Sequence, residues 1–297
     1  MNRTAVAQNP TRAVAWMLWS IFLLATMDVA FKQLVADYNS LQVTFLRCVC
    51  SAPLLAAWML AQDHRLFCTR HMGAHSLRAL LGLLMLWAMG ETFRELSLAD
   101  AYAIFFAAPL LMALLSGPLL KEPAGPLRLI ACSVGFIGVL IVLKPGALTL
   151  LSYGSLMALV AMACYALIAL MVRALGRDEP SLTIAFWFIF LCGLSSGLLL
   201  LLAGQWQMPA RAHWPWIALL ALTGTLGQVA LVAAFRRASA GQLAPFEYSY
   251  MFWAVLYGWW IWGTLPALRT SIGTLIIVAA GLFVLYRERR ASQGSVD

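Results

Sequence analysis

The sequence predicts an all-α membrane protein, with ten transmembrane helices arranged as two inverted five-helix repeats. Three observations carry that expectation. The 297 residues are 63% hydrophobic and only 11% charged, against roughly 25% charged residues in ordinary soluble domains. Apolar runs long enough to cross about 30 Å of hydrocarbon at about 1.5 Å per residue recur along the whole chain. The stretch that begins LADAYAIFFAAPLL (98–146) is answered by one that begins AGQLAPFEYSYMFW (240–289). In each, an aromatic-rich run that opens near a proline is followed by a short turn and a glycine-interrupted final helix.

A polar tail, MNRTAVAQNPTR at 1–12, precedes a first run over 13–34 that is too long for a signal-peptide core and reads as a retained helix. Spans at 41–61, 77–96, 99–120 and 126–143 complete a first repeat, 13–146. Spans at 152–173, 182–202, 214–235, 241–262 and 268–286 make the second, 152–287, and 288–297 is a closing tail. Five spans are an odd number, so the second repeat enters the bilayer from the side opposite to the first. The short loops leave no room for a soluble catalytic domain. Five of the six cysteines fall inside apolar spans, where a thiol behaves as a small hydrophobe, and no disulfide framework is implied.

The net charge of +8 is explained by sorting basic residues across the membrane. With a cytoplasmic N-terminus, fourteen lysines and arginines fall on the cytoplasmic side, five near the other face, and Arg47 lies within a span. That bias places both termini in the cytoplasm of a bacterial-type inner membrane. It accounts for the charge through the lipid bilayer, without nucleic acid as a partner.

The motifs FLRC (45–48), LSLADA (96–101), APLL (108–111), KEP (121–123) and APFEY (244–248) resemble those of the EamA family of the drug/metabolite transporter superfamily over essentially the full chain. The resemblance implies a ten-helix carrier for small metabolites, and places Arg47 where the family has an arginine in the second helix. Three positions depart from its pattern. Glu247 stands where a glutamine is expected, Glu91 where an aromatic or small residue is usual, and Thr264 where an acid would answer Glu122.

An ionisable side chain at the centre of a span costs about 2.5–3.5 kcal/mol on insertion scales, so each one demands a partner, a wet cavity or a function. Asp28 and Lys32 are four residues apart with the acid first, the favourable order for an ion pair on one helix, and both are also candidates to contact substrate. Arg47 reads equally as a structural clamp and as a cavity residue. Arg94 and Glu95 read as a solvated pair closing the third span. Glu91, a turn deeper and four residues after Trp87, is placed to line a cavity with it. Glu247 has Tyr250 on its side of the helix but no cation on its own helix, so it is a candidate to bind a substrate amine or carry a coupling proton. The bland alternative is an acid at a helix start, since Pro245 favours a first turn. Tyr102, Phe106, Tyr165 and Tyr250 supply faces for cations and planar groups.

His71 and His75, in the loop QDHRLFCTRHMGAHSLR (62–78), have the separation that lets two imidazoles reach one metal. A basic connector explains the same residues, and no cofactor is expected. No phosphate-cradling GxxxxGK[ST] loop is present, so transport is expected to run on a gradient, with the proton gradient as the candidate, and no span carries a catalytic set. The two intramembrane acids fit export of a small zwitterionic or amino-acid-like metabolite, an opine metallophore included. Uptake of an aromatic vitamin such as riboflavin is the alternative. GLSSG at 193–197 suits internal helix contacts as well as a dimer, so no oligomer is specified.

Overall fold

The structure is a computed structural model that describes residues 10–108, 110–112, 114–115, 126–143, 152–175, 179–235, 243 and 246–293. Among them every regular element is helical. The α-helices are α1 (Pro10–Val35), α2 (Ser40–Gln62), α3 (Met72–Glu95), α4 (Leu98–Phe105), α5 (Pro126–Leu143), α6 (Tyr153–Leu175), α7 (Ser181–Leu202), α8 (Trp214–Phe235), α9 (Tyr250–Trp262) and α10 (Leu268–Gln293). Six of them, α1, α2, α3, α6, α7 and α8, are long and apolar enough to cross a membrane, and shorter apolar stretches lie in α4, α5 and α10. The motif KEP, Pro109 of APLL, and Ala244 and Pro245 of APFEY lie outside the described residues, as do most of the two tails.

Local signals set several boundaries. Pro10 and Pro126 occupy first helical positions, where a missing N–H costs nothing. Asn39 caps α2 by accepting from the amide of Leu41 at 2.9 Å, and Ser97 caps α4 by accepting from Asp100 at 3.1 Å. Gly263, at φ 64°, ends α9 in the left-handed conformation that suits glycine.

Packing follows the repeat. α1 lies along α8 and α3 along α6, two pairings that exchange under the swap of one repeat for the other. α2 packs on α7, α4 on α9, and α5 on α10, each helix meeting its own counterpart. The direction is inverted as well. Lys32, near the end of α1, reaches the carbonyl of Leu96 at the end of α3 (2.7 Å), and Glu95 there accepts from the amide of Gly154 at the start of α6 (2.6 Å). α6 therefore begins where α1 and α3 finish.

Two of these seams depend on the absence of side chains. A Cβ on Gly138 of α5 would stand 2.9 Å from the carbonyl of Gly273, and one on Gly273 would stand 2.7 Å from the carbonyl of Gly138. The α5–α10 backbones touch, as small residues allow in a bilayer. Gly193 and Gly197 sit against Cys48 and Phe45 of α2, so GLSSG serves internal packing. Large apolar side chains such as Leu80, Leu201, Trp260 and Leu275 stand outward, an arrangement that suits lipid and would be an aggregation hazard in water.

Gly138→Val is expected to force α5 from α10. Thermal unfolding in detergent, read by tryptophan fluorescence, should show a fall of several degrees. The same substitution at exposed Gly73, with nothing near its Cβ, should shift it far less, since valine is no poorer a helix former than the glycine it replaces.

Candidate functional site

The fourth and ninth apolar runs, expected as continuous helices, are both broken. α4 ends at Phe105, the chain turns at 106–107, and helix resumes at 108. In the second repeat, helical residues 246–247 are followed by a turn at 248–249 before α9 begins at Tyr250. Non-helical backbone at membrane depth is tolerated where it lines a cavity, and breaks at related places in two repeats mark one.

A cavity of about 280 Å³ lies at these breaks. α4 and the turn after it supply Tyr102, Phe105 and Phe106, and the other break supplies Glu247, Tyr248 and Tyr250. Tyr102 stacks on Tyr250 across the repeats, with ring centroids 5.1 Å apart and planes at 26°. Phe106 meets Tyr248 edge-on at 5.3 Å. The face of α1 that runs through Met17, Ile21, Leu24 and Asp28 at spacings of four, three and four forms another wall, and Tyr165 of α6 and Gln228 of α8 also line the space.

Three charged groups share this space: Asp28, Arg47 and Glu247. Asp28 is 7% exposed. Its Oδ2 accepts from the Tyr102 hydroxyl, and its Oδ1 is buried without a partner. Arg47 and Glu247 make no hydrogen bond or ion pair with another described residue. The hydroxyl of Tyr248 is likewise buried and unpartnered. Both signs of charge thus line a largely apolar chamber, while the Tyr248 hydroxyl lies against Gly281 of α10.

The remaining expected site residues belong to the frame. Lys32 does not pair with Asp28. Its ammonium donates to the carbonyls of Phe93 and Leu96, where α3 ends, and lies 5.5 Å over the Trp262 ring. These last carbonyls have no partner inside their own helix and attract a cation. Glu91 does not reach the cavity. It is held by Arg94 at 3.0 and 3.1 Å and by the hydroxyl of Ser40 at 2.7 Å. Arg94 thus pairs with Glu91 rather than Glu95, and also donates to the carbonyls of Val35 and Tyr38 at 2.7 Å each. Trp87 packs against the cluster of Ala88, Met157 and Ala161. His71 is exposed. His75 is buried with its Nε2 2.7 Å from Glu179, and no group of three metal-ligating side chains forms among the described residues.

Sequence reasoning missed the sulfur in the walls. Met17, Met27, Met85, Met89 and Met162 all line the cavity. The i,i+4 pair Met85 and Met89 was the available signal, but a methionine stripe reads as core until the facing helices are known. Thioethers are soft and adaptable, and sit well against aromatic rings.

Known proteins resemble this chain along nearly its whole length. The profile of the EamA-like transporter family matches it twice, at 11–144 and 152–286. An uncharacterized transporter of Helicobacter pylori is 30% identical, over 89% of this chain and 93% of its own. A riboflavin transporter of Vibrio cholerae is 28% identical, over 97% and 98%. An S-adenosylmethionine uptake transporter of Rickettsia bellii is 26% identical, over 94% of each.

Lys32→Ala should act on stability rather than recognition. Losing hydrogen bonds from a charged donor costs about 1.5–3 kcal/mol. A lower melting temperature in detergent is expected, with no change in ligand affinity of the folded fraction. An affinity loss as large as that of a cavity variant would return Lys32 to the site.

Proposed function

The chain belongs to the EamA-like transporter family, and on that premise we propose that it is a secondary-active carrier of a small zwitterionic metabolite, working by alternating access. The carrying observation is the juxtaposition in one cavity of Asp28, Arg47 and Glu247, with Arg47 and Glu247 in no hydrogen bond or salt bridge to another described residue and one Asp28 oxygen unpartnered. Leaving such groups unmet in an apolar chamber costs several kcal/mol. A zwitterion meets them all. Its carboxylate goes to the Arg47 guanidinium, in the bidentate geometry arginine favours, and its ammonium to Asp28 Oδ1. Glu247 takes a second cationic group or the coupling proton, and the methionine and tyrosine walls take the apolar body.

Uptake is the direction we put forward, in place of the export expected from the sequence. The Rickettsia relative is named as an uptake transporter, and none of the relatives named above is a metallophore exporter. The second reading, uptake of an aromatic vitamin, is favoured by the stacked Tyr102 and Tyr250 and by the Vibrio relative named for riboflavin. We assign the repeats to 13–146 and 152–287, with ten spans. Both termini are placed in the cytoplasm of the inner membrane.

Reconstitution into vesicles tests the reading. Saturable uptake of S-adenosylmethionine, a zwitterion with an extra positive charge, is expected to exceed that of riboflavin. Arg47→Ala and Asp28→Asn should each lower its apparent affinity about 10- to 100-fold, the equivalent of about 1.5–3 kcal/mol per charged hydrogen bond. Neutral riboflavin carried better, and unaffected by Asp28→Asn, would favour the second reading. Glu247→Gln should abolish accumulation driven by an imposed proton gradient, and undiminished accumulation would remove Glu247 from coupling.

A further inference from the structure

Asp28 of α1 and Arg47 of α2 carry opposite charges into one largely apolar chamber, and yet they do not meet. Both line the cavity, and the charge of Arg47 is felt at Asp28. Neither carboxylate oxygen is paired with the guanidinium: Oδ2 accepts from the Tyr102 hydroxyl, and Oδ1 is buried without a partner. Opposite charges in a space of low dielectric attract strongly. An arginine whose long stem no other described group holds should close on an acid so near.

What holds the acid back is a hydroxyl that cannot follow it. Tyr102 is buried. Its ring stacks on Tyr250 with centroids 5.1 Å apart, meets Phe105 edge-on at 5.9 Å and lies 6.2 Å from Phe106. A ring packed against three others keeps its hydroxyl in place, and the carboxylate oxygen bound to that hydroxyl is kept with it. Asp28 is thus anchored through one oxygen and left with the other free.

The separation matters for any ligand that carries both signs of charge. A salt bridge formed inside the empty chamber would have to break before a zwitterion could bind, and its strength would be subtracted from the affinity. Charges held apart in advance avoid that loss, as preorganised sites do. The brace also crosses the duplication, because Tyr250 belongs to the second repeat while Asp28, Arg47 and Tyr102 belong to the first.

We propose that Tyr102 is the positioning residue of this cavity: its hydroxyl holds Asp28 away from Arg47, so that both charges stay free for the ammonium and the carboxylate of a zwitterion. For its ligand the role rests on the zwitterion reading above. The separation of the two charges does not.

Tyr102→Phe keeps the ring and its stack and removes only the hydroxyl. Binding to the purified full chain is read with two probes, S-adenosylmethionine and its decarboxylated form, which keeps the cationic groups and lacks the carboxylate that Arg47 would hold. Tyr102→Phe is expected to weaken both about tenfold, the equivalent of about 1.4 kcal/mol, because Asp28 is then engaged by Arg47. Adding Arg47→Gln should return the decarboxylated probe to at least its original affinity, while S-adenosylmethionine, still without a partner for its carboxylate, stays weak. A structural contribution of the hydroxyl would not be repaired by deleting a charge. A loss that Arg47→Gln leaves in place, or no loss from Tyr102→Phe, would overturn the proposal.

A second measurement needs no ligand. With Tyr102 present, the melting shifts of Asp28→Asn and Arg47→Gln should add in the double variant. In the Tyr102→Phe background the double variant should lose less than the sum by a few degrees, since the new ion pair can be lost only once. Equal additivity in both backgrounds would overturn the proposal. If that coupling is present and the parent protein binds neither probe, the positioning role stands and the zwitterion reading falls.

Discussion

A charge carried into hydrocarbon must be met there, and the architecture of this chain follows from how each of its intramembrane charges is met. Lys32 and Arg94 find carbonyls that their own helices leave without partners. Glu91 finds Arg94 and Ser40, and Glu95 the first turn of α6. These charges tie α1, α2, α3 and α6 together at one end of the bundle. Asp28, Arg47 and Glu247 are not met in this way, and it is they that line the cavity. The same cost that fixes the first group in the frame leaves the second to be met from the cavity, which is why the proposed substrate contacts are drawn from it.

The cavity itself exists because two helices stop short. A continuous helix satisfies its backbone internally and needs no neighbour. A broken one exposes amides and carbonyls that must face a polar space or a packed partner. The turns at 106–107 and 248–249 interrupt the regular ladder at related places in the two repeats, with Ala107 bonding to Ile104 and Ser249 to Phe246, and aromatic rings of both repeats pack beside them. Elsewhere glycine lets helices close completely, as between α5 and α10. Tight seams and a gap between broken helices give a rigid frame around a chamber.

Composition, apolar runs and the internal likeness were enough to read an all-helical duplicated membrane protein, because those signals are local or repeat along the chain. Glu247 was legible as an oddity for the same reason, and Tyr102, Phe106 and Tyr250 of the duplicated stretches, with Tyr165 of α6, line the cavity beside it. The partners of the other charges were not legible. Spacing along one helix made Asp28 and Lys32 a pair, yet a hydroxyl 74 residues away and the end of α3 claimed them. Helix-end carbonyls are strong acceptors that no side-chain pattern displays. The helix breaks were hidden because the sequence around them stays apolar, and the methionine walls because methionine is at home in any core.

Duplication also constrains what the cavity can recognise. Asp28, Arg47 and Tyr102 come from the first repeat, and Glu247, Tyr165 and Tyr250 from the second. A ligand held by Asp28 alone would not sense the position of the second repeat, and its binding energy could not be used to move it. A ligand that touches both repeats binds best at one relative arrangement and so biases the equilibrium by the difference. The stacked Tyr102 and Tyr250 make this sharp, since one ring from each repeat forms a single platform that separation of the repeats would divide.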